Sequence, residues 1–287
     1  MKEITLEELL EAGCHFGHQV TRSNPKARDF VFEERDNIQI IDLVKTKEGL
    51  DEAAAFVKSL GQNGGTFLVV ATKKQAKQAV EEEVLRIREE LKEKAETNGQ
   101  TLFYITQRWV GGVLTNFTEV SRNFKKLADL KQKLSSLEEK AKYTKKEIGL
   151  WDRERQRLEL FYQGISEMTQ KPDALFIIDS HLEGLAVREA LATHVTTVAI
   201  VDTNADPFVI DYPIPANDDA VGSIKLIVSH ILNAFSEGVK SQKPPKVEGE
   251  KETAKKESKE KPKAKEKEEI KKEENIKPAK TKKGKKK

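Results

Sequence analysis

Short apolar runs, each parted from the next by helix-patterned sequence, restrict this chain more than any other feature. Residues 67–71, 102–105, 174–178 and 198–201 are continuous apolar runs of strand length. Runs of that kind suit strands buried on both faces. Around them, residues 44–60, 73–94, 182–192 and 221–235 carry apolar side chains at helical spacing. Strands that alternate with helices imply a parallel sheet covered by helices on both sides.

Residues 118–168 break the alternation. Val120, Phe124, Leu127, Leu130, Leu134 and Leu137 step by three or four residues. Beyond a charged link at 140–147, Trp151, Leu158 and Ile165 step by seven, with Phe161 and Met168 three beyond the last two. Two apolar stripes joined by a polar turn predict an antiparallel helical hairpin. It either projects as a coiled-coil arm or lies on the sheet as two more helices; the charged outer faces favour the arm. The expected fold is three-layer α/β/α, with a mostly parallel, flavodoxin-like or Rossmann-like sheet. Its globular domain is discontinuous, over 1–117 and 169–239, around the hairpin at 118–168. Upstream, Thr5 and Glu8 form a capping-box pattern for a short helix stopped at Gly13, and 30–32 and 38–41 read as strands.

The net charge of +3 on 287 residues conceals a division. Residues 240–287 carry 20 Lys and 10 Glu, whereas the first 239 hold 31 Lys and Arg against 38 Asp and Glu. The folded part is therefore acidic, and nucleic acid can meet it only at local basic patches. Beyond Val247 the only large apolar residues are Ile270 and Ile276. That is too few to offset ordering entropy, so the tail is expected to be disordered. The single cysteine, Cys14, allows no internal disulfide. The opening Met1-Lys2-Glu3-Ile4-Thr5 does not resemble a secretion signal, and no apolar run approaches the ~20 residues of a membrane span. A cytoplasmic protein without membrane contact is expected.

No phosphate-binding loop, dinucleotide fingerprint or nucleophile elbow is present. Thr72 reads as an N-cap, which puts Lys73 and Lys74 in the first turn of a helix, where cations oppose the helix dipole. A bound phosphate would relieve that opposition; the plain alternative is two exposed lysines tolerating a few tenths of a kcal/mol. After the strand at 102–105, Arg108 suits bidentate phosphate contact and Asn116 a polar contact to a partner, while Trp109 reads as core. The loop at 21–28 adds a basic cluster with Arg22, Asn24, Lys26 and Arg28. His15 and His18, beside Cys14, form an H-x-x-H fragment of a metal-ligand pattern. Asp202 and Asp219 would converge on His18 if the N-terminal loop crosses the sheet edge, giving a divalent cation a candidate seat. The local alternative makes Asn217 a helix cap, puts Asp218 and Asp219 in that helix's first turn, and makes 202–204 an Asx-type turn.

The segments LLEAGCHFGHQVTRSNPKARDFVF (9–32), NIQIIDLVKT (37–46), RWVGGVLTNF (108–117), PDALFIID (172–179) and IVDTNADPFVIDYPIPANDDAVGSIKLI (200–227) occur in that order. Together, over residues 4–235, they resemble the family of small-subunit ribosomal protein two in its bacterial form. Ser23 stands where that family commonly has an aromatic, no Pro precedes the strand at 198, and the Lys/Glu tail is unusually long. The resemblance implies a non-enzymatic structural protein bound to small-subunit rRNA between head and body. It also implies docking of other ribosomal proteins, including the large mRNA-binding one, with no cofactor and no small-molecule substrate. Taken with the charge pattern, it makes Arg22, Asn24, Lys26, Arg28, Lys73, Lys74, Arg108 and Asn116 the candidate rRNA contacts, gripping mainly phosphate and RNA shape. The rival is a metal-dependent α/β enzyme with His18, Asp202 and Asp219 around the ion. A third reading makes the tail alone the nucleic-acid binder.

Overall fold

The computed structural model describes residues 3–93, 99–136 and 141–242. The tail expected to be disordered lies, from residue 243 onward, outside them. The N-terminal part runs α1 (Leu6–Glu11), β1 (Phe16–Gln19), β2 (Val31–Arg35) and β3 (Ile38–Ile41). Its strands pair antiparallel in the order β1-β3-β2. Next come α2 (Leu43–Gln62), β4 (Phe67–Val70), α3 (Lys74–Glu90) and β5 (Leu102–Ile105). The hairpin helices α4 (Phe117–Ser135) and α5 (Lys145–Tyr162) follow, then β6 (Ala174–Ile177), α6 (Gly184–Thr193), β7 (Thr196–Val201), β8 (Tyr212–Pro215) and α7 (Val221–Lys240). Strands β5-β4-β6-β7-β8, in that order, form one sheet parallel throughout, with helices on both faces. This is the expected α/β/α arrangement.

Every residue of β4, β5 and β6 is buried, which is why their sequences are apolar without alternation. The strand period of two still sorts them. Phe67, Val69, Phe176 and Ile200 join one core with α2, α3 and α7; Leu68, Val70, Leu175, Ile177 and Val201 join the other, with α6 and the inner ends of α4 and α5. Helix α7 meets α2 backbone to backbone. A Cβ on Gly238 would stand 2.2 Å from the Lys58 carbonyl oxygen, and one on Gly61 2.6 Å from that of Phe235. Only glycine fits at either point. In the hairpin, Phe124 lies edge-on to Tyr162 with centroids 5.6 Å apart, while farther out Lys133 sits 5.6 Å above the Trp151 ring. Helices α4 and α5 are therefore antiparallel, and a Thr144–Glu147 capping box starts α5.

The structure departs from the sequence reading at several element ends. Residues 212–215, where no strand was expected, form edge strand β8, where Pro213 and Pro215 withhold donors that an edge can spare. Residues 16–19, expected as loop, form β1; its burial does not alternate, so period two is hidden. Helix α3 starts at Lys74, and Lys73, not Thr72, is its N-cap. Helix α7 starts at Val221 after Ala220, so Asn217, Asp218 and Asp219 lie in the turn before it, not in its first turn. It continues through Lys240, where the tail was expected to begin.

Candidate functional site

In open α/β sheets, ligands enter the crevice outside the strands' carboxyl ends, where strand order reverses. Here the reversal lies between β4 and β6. Lys73, just after β4, fills that crevice. Its Nζ is 2.6 Å from Asp218 Oδ1, 2.7 Å from Asp219 Oδ1 and 3.2 Å from Asp179 Oδ2, across the gap. Burial opposes its charge, but the hydrogen bonds to Asp218 and Asp219 outweigh it and hold the ammonium above its ordinary range. Lys73, expected to face phosphate, is turned inward: the buried carboxylates of Asp179 and Asp218, with the exposed one of Asp219, supply the anion its position called for.

His18, on β1, does meet the aspartates, as the sequence allowed. Its Nδ1 is 3.1 Å from Asp202 Oδ2, off the line of a good hydrogen bond, and its Nε2 is 3.6 Å from Asp219 Oδ2. Asn204 Nδ2 lies 3.2 Å from the same Nε2. The Asp202 carboxylate raises the imidazole above its ordinary value, with burial opposing. Asp202 also accepts from the adjacent amide of Thr203, not from that of Asn204 as the expected Asx turn requires; the turn is closed instead by the Ala205 amide donating to the Asp202 carbonyl (3.1 Å). Burial, with the charges of Asp179 and Asp202, pushes the Asp218 carboxyl up to about 7 against the pull of Lys73. His18, Asp218 and Asp219 each offer a ligand atom within 4.8 Å of the others. Both aspartates, however, already neutralise Lys73, so a divalent ion would have to displace an ammonium. His15 does not join the group. It lies in the turn before β1, and its ring packs against that of Phe16 instead, with centroids 4.0 Å apart.

The basic loop is fastened beside this cluster. The Asn24 amide donates to the Thr203 carbonyl (2.8 Å), and the His18 amide donates to Thr203 Oγ1 (2.9 Å). The Asn217 amide donates to the Cys14 carbonyl (3.1 Å), and Asn217 Nδ2 to that of Gly13 (3.1 Å). Asn24 Oδ1 caps a 3-10 turn by accepting from the Lys26 amide at 3.0 Å. Lys26 pairs with Asp206 yet is 56% exposed; Arg22 and Arg28 are exposed, as is Lys74 at the start of α3.

Beyond β5, Arg108 and Asn116 are exposed at the two ends of a loop whose middle is buried. Trp109 is core, as expected. Glu189, which sequence reading passed over, holds that loop. Its carboxylate accepts from Trp109 Nε1 (3.3 Å), from the amides of Gly112 (2.8 Å), Leu114 (3.2 Å) and Thr115 (3.4 Å), and from Thr115 Oγ1 (3.2 Å). Burial works against its charge, but these donors, Gly112 first, keep the carboxyl below its ordinary range. An acid between Ala186 and Ala190 on the buried face of α6 was the available signal. Glu183 does a similar service next to β4, accepting from the amide and hydroxyl of Thr72.

The candidates, Lys73 apart, thus stand exposed or part-exposed on loops and helix starts at the carboxyl edge of one sheet, around a crevice closed by internal ion pairs. No helix among the described residues is long and apolar enough to cross a membrane. A family model described as Ribosomal protein S2 matches residues 9–238. The chain therefore belongs to the ribosomal protein S2 family, structural proteins of the small ribosomal subunit.

Proposed function

We propose that this protein holds small-subunit rRNA between head and body through the loops at the carboxyl edge of its parallel sheet, and helps dock neighbouring ribosomal proteins, the large mRNA-binding one among them. One observation carries the reading. The exposed cations Arg22, Lys26, Arg28, Lys74 and Arg108, with Asn24 and Asn116, sit at one edge of a folded part whose charge is otherwise acidic. Such groups grip phosphate and RNA shape more than base sequence. Lys73 is left out, being committed to Asp179, Asp218 and Asp219.

A protein neighbour has a different surface to meet. Leu10, His15, Phe32, Ile40, Leu43 and Val44 line an apolar groove of about 240 Å³. Phe32 is 72% exposed and Phe16 48%, and contiguous apolar surface of this kind suits a docking face. The protein acts by binding, within the cytoplasmic ribosome, and turns nothing over. Tagged full-length protein should co-sediment with small subunits, and Arg22→Glu or Arg108→Glu should weaken that association, most at low salt and less as rising salt screens the wild-type contact. Recovery of the wild type as a free monomer at moderate salt would overturn the reading.

A further inference from the structure

The hairpin runs against the charge of the body that bears it. Residues 117–162 hold 12 Lys and Arg against 8 Asp and Glu, whereas the first 239 residues together carry seven more acids than bases. The excess is concentrated on one side of α5. At 3.6 residues per turn, Lys146, Leu150, Arg153, Arg157 and Leu160 fall within an arc of about 80° over about 20 Å of helix. All five are exposed.

The four acids of α5 lie outside that arc, and each is already engaged. Glu147 serves the capping box with Thr144. Asp152 pairs with Arg155 at 2.9 Å, Glu154 with Lys126, and Glu159 with Lys131 at 2.8 Å. Among the described residues, no carboxylate pairs with Lys146, Arg153 or Arg157. Gly149 shares the face, and nothing lies within 4 Å of where its Cβ would stand, so the helix backbone is open to close approach there. Lys142 and Lys145 carry the same charge on to the helix start.

We infer that this outer face of α5 is a second contact for RNA phosphates, separate from the sheet-edge loops and resting on the reading that the protein binds rRNA. Arg153 and Arg157, one turn apart, each present a planar fork that matches phosphate oxygens in pairs. An acidic protein would satisfy the charge as well. Its apolar anchors, however, would find only Leu150 and Leu160, which stand about 15 Å apart along the helix.

The test measures binding of full-length protein to small-subunit rRNA transcribed in vitro, across a salt series. Arg153→Gln with Arg157→Gln should reduce the steepness of log K against log salt by about one per cation removed, at unchanged Tm. Arg22→Gln with Arg28→Gln should reduce it separately, and the two losses should add. An α5 variant with wild-type affinity and slope, beside weakened loop variants, overturns the α5 contact and leaves the sheet-edge reading standing. A wild-type protein that shows no salt-dependent binding overturns both. Variants of α5 that bind naked rRNA normally but fail to join assembled subunits would assign this face to a protein, which also overturns the inference.

Discussion

Asp218→Asn isolates one titration in the sheet-edge cluster. Asp218 is 1% exposed, and its carboxyl is pushed from 3.8 up to about 7 by burial and by the charges of Asp179 and Asp202. Between those values the folded protein holds a proton that the unfolded chain has released. Because the folded value is the raised one, stability from this group is full below about pH 4 and is lost as the pH climbs to about 7. Roughly three pH units at about 1.4 kcal/mol each put that loss near 4 kcal/mol. Asparagine keeps the shape of the protonated acid and cannot ionise, so the loss should vanish. His18 acts in the same sense and stays in the variant: its raised imidazole stabilises the fold below 6.5 and ceases to as the pH rises past its folded value. Comparing the two proteins cancels the part that comes from Asp202, its first cause, and leaves only the smaller pull of Asp218 on the imidazole. Urea unfolding at about pH 4.5, 6 and 7.5 gives the difference between them, and the variant should gain about 3 kcal/mol on the wild type over that range. A difference that stays flat with pH would mean Asp218 is charged throughout in the folded state, and would refute the account of the cluster.

Two further substitutions probe the supports of the site. Glu189→Ala strands the Trp109 indole N–H and the amides of Gly112, Leu114 and Thr115, so denaturant unfolding should register a loss of about 3–5 kcal/mol; a loss under about 0.5 kcal/mol would show that the loop stands without it. Gly238→Ala drives a methyl into the Lys58 carbonyl. Despite the better helix propensity of alanine, it should lower stability by about 1–2 kcal/mol, and a raised Tm would show that α2 and α7 can part without penalty.

The parallel sheet was legible because β4, β5 and β6 are wet on neither face, leaving uninterrupted apolar runs between helical stretches. Strand β8 was not, because Pro213 and Pro215 speak against pairing unless the strand is known to lie at an edge. The meeting of His18 with Asp202 and Asp219 was readable as a condition on where the N-terminal loop runs, and the loop does run there. The fate of Lys73 was not readable. A cation at a helix start looks the same in sequence whether its anion is a phosphate or three aspartates brought from distant loops. Glu189 escaped for a related reason. Local sequence offers one buried acid on a helix, while its donors are 74 to 80 residues away.

The bonds that fasten the basic loop to Thr203 also set an order of events. In a chain made from its N-terminus, the cations of residues 22–28 emerge early, but the His18–Thr203 bond spans 185 residues. At about 5–20 residues per second, the partner follows on the order of 10–40 s later. Until then the loop has its charge without its shape. On the proposed reading, an unfinished chain can be drawn to RNA by that charge, yet it cannot hold RNA as the finished protein would. Completion of β7 and the turn after it thus becomes the checkpoint for a proposed binding surface encoded near the opposite end of the chain.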